Sequence, residues 1–129
     1  MNKRGFTLVE TIVVIIILAI ISITLAIFVT NQLQAVVRSN EFTNAVNLAR
    51  LEAEVVNSTA YASLTTGTTT TTNYKSYPYD VIRTVSYVFG TDLTAESLKQ
   101  ITIVVRPNGK SNNLVTYTTY RAKNITFGL

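Results

Sequence analysis

The apolar and polar positions of the chain fall into three regimes, each with its own period. Residues 6–29, "FTLVETIVVIIILAIISITLAIFV", are apolar at almost every position, and Glu10 is the single charged side chain among them. Roughly 20 apolar residues in a helix cross a bilayer core about 30 Å thick, so this run predicts a membrane helix. Residues 30–58 contain neither Gly nor Pro, and Phe42, Ala45, Val46, Ala49, Ala53 and Val56 recur at the i, i+3, i+4, i+7 spacing of one helical face. Arg38 with Glu41, and Arg50 with Glu54, stand three and four apart on the polar side, where such pairs contribute about 0.2–0.5 kcal/mol each. One helix from Phe6 to about Asn57 is expected, roughly 78 Å long at 1.5 Å per residue. Its second half either lies along a head domain or stands as a free coiled-coil stalk. The stripe lacks sustained heptads, which favours the head.

Past residue 58 the pattern shortens. The run "TTGTTTTTN", residues 65–73, is of low complexity and has no hydrophobic period, so it reads as a loop. Residues 79–89, 99–107 and 113–122 are rich in β-branched and aromatic side chains and read as strands. Ile101, Ile103 and Val105 alternate with Thr102 and Val104, and Pro107-Asn108-Gly109 marks a turn, so residues 99–122 form the firmest hairpin. Residues 91–100 lead into it as a loop or short helix. The expected fold is α+β: one long N-terminal helix packed on an antiparallel sheet of three or four strands. A head of about 70 residues is marginal alone, and the helix stripe supplies its missing core.

Chemistry-bearing residues are scarce. The chain has neither Cys nor His, which removes disulfides, the commonest metal ligand and the usual general base. No phosphate cradle, metal-ligand cluster or nucleophile motif occurs, so no cofactor, no metal and no enzymatic activity are expected. Asp80 with Asp92 or Glu96 reads as unpaired surface acids, not as a hydrolase pair. The formal charge of +4 includes Lys3 and Arg4. Without them nine basic residues face seven acidic ones, a weak footprint for nucleic acid.

Those two cations precede the apolar run, so the N-terminus is expected on the cytoplasmic side. The run exceeds the about 7–15 residues of a secretory signal and carries no A-x-A site. A plain anchor, in turn, explains neither Glu10 nor the glycine before the apolar segment. The stretch "KRGFTLVE" followed by a long aliphatic helix resembles the N-terminus of type IV pilins and type II secretion pseudopilins. The resemblance implies a leader of residues 1–5, cut after Gly5 by a prepilin peptidase that also N-methylates Phe6. It implies an assembly helix over 6–29, an amphipathic half over 30–57 and a β-rich head over 58–129. Partners would be other pilin subunits, the peptidase, a membrane platform protein and an assembly ATPase. The chain would sit first in the bacterial cytoplasmic membrane and then in a surface filament. Glu10 matches the family's glutamate, whose carboxylate can meet the terminal amino group of a neighbouring subunit. Leaving one partner of a buried ion pair alone costs about 3–5 kcal/mol, which would make Glu10 a register device.

The segment has no proline between Phe6 and Asn57, unlike many pilins. "LKQITIVV" and "VTYTTYRA" resemble, faintly, the C-terminal ends of PilV-like minor pilins and subunit-I pseudopilins. A cysteine pair is absent, and Asp80, Asp92 and Glu96 are too few for a calcium loop, since calcium takes six to eight oxygens. These features point to a minor subunit. The alternative is a tip adhesin or DNA-binding pilin of a competence filament. Tyr74, Lys75, Tyr77 and Tyr79 would supply ligand contacts, and Arg83, Arg106, Lys110, Arg121 and Lys123 the charge.

Overall fold

The computed structural model describes residues 7–124. Its contacts divide the chain into two compact units, Met1–Asn40 and Glu41–Leu129. The first is the opening part of α1 (Leu8–Ser58). The second holds the end of α1, followed by β1 (Gly67–Thr71), β2 (Tyr79–Phe89), β3 (Ser97–Pro107) and β4 (Val115–Lys123). The four strands form one antiparallel sheet in the order β1-β2-β3-β4.

The end of α1 packs on one face of this sheet. Ala45, Leu48, Ala49, Ala53 and Val56 meet Val81 and Val85 of β2 and Ile101, Ile103 and Val105 of β3, with Leu64, Tyr74 and Tyr79 closing the core. Alanine at every fourth position, 45, 49 and 53, leaves the helix surface low enough to approach the sheet closely. β3 alternates buried and half-buried positions along its whole length, the period-2 signature of a strand with one face on a core. The expected stripe is rotated by a fraction of a turn: Phe42 is 54% exposed, whereas Leu48 and Glu52 are buried. Neither Arg38–Glu41 nor Arg50–Glu54 closes to ion-pair distance among the described residues.

The expectation for the threonine run is corrected. Five residues of the threonine run expected to be a loop form β1, paired with β2 from Gly67 opposite Val85 to Thr71 opposite Val81. Threonine is β-branched and suits a pleated strand. Every residue of β1 is exposed, so this edge strand needs backbone partners and no apolar period. Thr68 and Thr84 also join hydroxyls across the pair at 3.1 Å.

The connection between β2 and β3, residues 90–96, is a built loop. Gly90 has φ +69°, and a Cβ there would stand 2.5 Å from the Glu96 carbonyl oxygen and 2.6 Å from Thr94 Oγ1. Only glycine fits. At the other end of the sheet Lys110 N–H donates to Pro107 O at 3.1 Å, and Gly109 takes φ +69°. This is the turn that the Asn-Gly pair foretells.

Candidate functional site

α1 opens on a reciprocal cap. Thr7 N–H donates to Glu10 Oε2 at 3.4 Å, and Glu10 N–H donates to Thr7 Oγ1 at 3.3 Å. This is a capping box, T-x-x-E, in which the first helical N–H groups find side-chain partners. The Glu10 carboxylate thus has one oxygen turned to its own helix end, and its other oxygen has no hydrogen-bond partner among the described residues. Gly5, Phe6, Lys3 and Arg4 lie outside the described residues.

Beyond the cap, every side chain from residue 8 to 40 is exposed within the chain. The best 18-residue window of α1 has a mean hydropathy of 3.4, with none of it buried, long and apolar enough to cross a membrane. The few hydroxyls on this surface are turned inward to the backbone. Ser22 donates to Leu18 O at 2.7 Å, Thr24 to Ile20 O at 2.9 Å and Thr30 to Ala26 O at 2.9 Å. A hydroxyl bonded to the carbonyl one turn back needs no water, so the surface is apolar in hydrogen bonding as well as in composition. Ile20, Ile21, Thr24, Leu25 and Phe28 line a shallow apolar groove along it, of the kind that receives the ridges of another helix. Glu10 is the one carboxylate on this surface.

The second set of candidate residues does not form a common surface. Tyr74 and Tyr79 are buried in the head, while Lys75 and Tyr77 are exposed. Tyr74 donates its hydroxyl to Glu52 Oε2 at 2.7 Å, and Glu52 Oε1 pairs with Arg83 at 2.9 Å. Burial first, and then the hydrogen bond to the Glu52 carboxylate, pushes the Tyr74 phenol up to about 12. Glu52 on α1 is only 7% exposed, and it ties helix to sheet. The amphipathic pattern missed it. Its position four residues from Leu48 and Val56 is the signal that could have found it.

The cations proposed for a ligand groove are mostly engaged inside the head. Arg106 pairs with Asp80 at 3.5 Å. Arg121 donates to Asn57 O at 2.7 Å and Thr59 O at 3.0 Å, capping the C-terminal end of α1. Lys123 donates to Asp92 O and Thr94 O at 2.9 and 3.2 Å. Arg83 is held by Glu52. Asp80 and Asp92, expected to be unpaired surface acids, are both ion-paired.

The most unusual cation is Lys99, wholly buried at the end of the row Ile101, Ile103, Val105. Its ammonium donates to Leu64 O at 2.7 Å, pairs with Asp92 at 2.8 Å, and lies 4.4 Å and 5.2 Å from the centres of the Tyr61 and Tyr87 rings. Burial alone would pull this lysine down. The hydrogen bond and charge of Asp92 outweigh it, and the net shift is upward. The Lys99 hydrogen bond, with help from Tyr87, holds the Asp92 carboxyl below its ordinary value. Continuing the β3 alternation two residues back from Ile101 places Lys99 on the inner face, so this position was readable from the period.

Comparison with known proteins adds one finding. No curated protein and no solved structure matches the chain. Residues 1–28 match the family model for the prokaryotic N-terminal methylation motif. That motif is the class III signal of type IV pilins. A chain that begins with it, and continues as one long helix into a four-stranded antiparallel sheet, has the α+β, pilin-like fold and is consistent with a pilin or pseudopilin.

Proposed function

We propose that this chain is a structural subunit of a type IV pilus-like filament, a minor pilin or pseudopilin. It is cut after Gly5, methylated on the new terminal Phe6, and assembled through its N-terminal helix. The observation that carries this reading is the surface of residues 8–30: apolar, exposed within the chain, with its hydroxyls satisfied and one capped carboxylate at its start. An apolar surface of this extent is not left in water. Lipid covers it before cleavage, and neighbouring helices cover it afterwards. With one oxygen of Glu10 held by Thr7 N–H, the other faces outward to a neighbour's terminal ammonium, while Phe6 becomes the chain's own terminus. The role is structural, and its membrane partners are those that the signal brings: a prepilin peptidase, a platform protein and an assembly ATPase. Mass spectrometry of the isolated subunit tests the first step. The expected N-terminus is methylated Phe6, and Gly5→Leu leaves a chain longer by the five leader residues. A wild-type chain that keeps Met1 when co-produced with a prepilin peptidase refutes the reading.

A further inference from the structure

The register brings four threonines into one row across the sheet. Thr68 stands opposite Thr84, Thr84 opposite Thr102, and Thr102 opposite Thr118. Directly opposed residues share a face, and Ile101 and Ile103, on either side of Thr102, point into the core. The threonine row therefore lies on the outer face, away from α1. Beside it Ser86, Gln100 and Tyr120 form a parallel row, and on its other side Ile82 and Val104 stand between Thr70 and Thr116. None of these residues is buried, and Tyr120 is 56% exposed.

A solvent-facing sheet surface is ordinarily where charges sit, and here they sit on the other side. Arg83, Lys99, Arg121 and Lys123 all fall on the inner face, held by Glu52, by Asp92 and by backbone carbonyls. Asp80 and Arg106 share the outer face but stand opposite each other beyond the rows, and they pair at 3.5 Å. Across the rows themselves every polar group is a hydroxyl or an amide, each able to donate and to accept, and none is charged. A complementary partner is likewise neutral and rich in groups that do both, which describes the hydroxyls of a sugar. Nucleic acid does not fit, because the rows offer no cation to a phosphate. Size argues against a protein. The face is about 19 Å across four strands and about 20 Å along β4, or about 400 Å², where a standard protein interface takes about 800 Å² from each partner. A single polysaccharide chain matches these dimensions. The threonine methyls, Ile82 and Val104 give its ring C–H groups apolar contact, and Tyr120 offers a ring on which a sugar can lie.

We propose that the outer face of the sheet binds a neutral polysaccharide, laid along the row Thr68–Thr84–Thr102–Thr118 with one sugar ring on Tyr120. The inference goes beyond the filament reading, which assigns this face no ligand.

The full-length chain in detergent is mixed with insoluble cellulose, chitin, mannan and curdlan, all neutral, and the fraction that sediments with each is measured. The chain is expected to sediment with at least one of them, and soluble oligosaccharide of the same sugar should release it. Thr118→Lys places a charge in the row and is expected to lower the retained fraction about tenfold, the effect of about 1.4 kcal/mol. Tyr120→Ala should lower it as well. Leu93→Lys adds the same charge on the 90–96 loop, at a position 98% exposed, and should be retained like wild type. Both lysine variants should melt as wild type does, because neither position is buried. Retention on none of the four polysaccharides overturns the proposal. So does retention that Thr118→Lys and Tyr120→Ala leave unchanged. If Thr118→Lys instead strips the chain from filaments, the face meets a neighbouring subunit and the proposal is wrong. Cleavage at Gly5 and filament content should stay at the wild-type level in all three variants, so a failure to bind polysaccharide leaves the filament reading standing.

Discussion

Residues 8–37 and residues 45–56 belong to the same helix, yet they solve the problem of apolar surface in opposite ways. The early part buries nothing within the chain. On the proposed filament role its specificity rests on one charged position at its start, because a largely aliphatic surface cannot tell one packing register from another. The later part buries a narrow row of alanines, Leu48 and Val56 against β2 and β3 and fastens it with polar groups: Glu52 to Tyr74 and Arg83, and Arg121 to the last helix carbonyls. Where the partner is part of the chain, specificity is spread over many contacts. Where the proposed partner is another molecule, the same proposal concentrates it in one.

The difference predicts unequal responses to substitution. The largest belongs to the early part: Glu10→Val leaves cleavage at Gly5 intact and reduces incorporation into filaments to background, read by immunoblot of sheared filaments. In the head, Ile103→Ala removes a wholly buried side chain and costs about 2–5 kcal/mol of stability, read by denaturant unfolding of the detergent-solubilised chain. The matching change in the early part, Ile16→Ala, leaves that unfolding transition where it was. Equal losses from the two isoleucines would erase the distinction between the regions. Glu52→Leu leaves the Tyr74 hydroxyl and Arg83 without their shared acceptor and costs about 1–3 kcal/mol.

The smallest effect is confined to alkaline pH. The Tyr74 phenol is raised from 10.0 to about 12, so folding favours its neutral form. That contribution is fully present below pH 10 and is lost as pH rises through the folded-state value near 12. Tyr74→Phe should therefore flatten the fall in head stability over that window. Lys99, also raised, loses its contribution as pH rises through its own folded-state value, so some slope remains in the variant. Asp92 acts at the other extreme. Its lowered carboxyl contributes above the unfolded value, about 3.9, and that contribution fades as pH falls through the folded-state value.

Much of this was legible from residue order, for physical reasons that also explain the exceptions. An unbroken aliphatic run has one reading, and "RGFTLVE" before it fixed which kind of apolar helix to expect. The β3–β4 hairpin announced itself through the Ile101–Ile103–Val105 alternation and the Asn-Gly turn. β1 escaped because an edge strand made of threonine buries nothing and so has no hydrophobic period. The roles of Glu52, Lys99 and Arg121 escaped because a charged residue in a small domain reads by default as solvated. Their partners lie 22 to 64 residues away in sequence, a separation that no local pattern reports. The same blindness made Tyr74 and Tyr79 look like ligand contacts when they are core. The capping box at Thr7 was in plain view as T-x-x-E and went unread too.

The central claim is that the outward oxygen of Glu10 is matched by the terminal ammonium of a neighbouring subunit once the leader is gone. A structure of the assembled filament at side-chain resolution tests it directly. The account predicts a Glu10 carboxylate within about 4 Å of a Phe6 amino nitrogen from an adjacent subunit, enclosed by aliphatic side chains. A Glu10 carboxylate open to solvent, with no amino terminus near it, would contradict it.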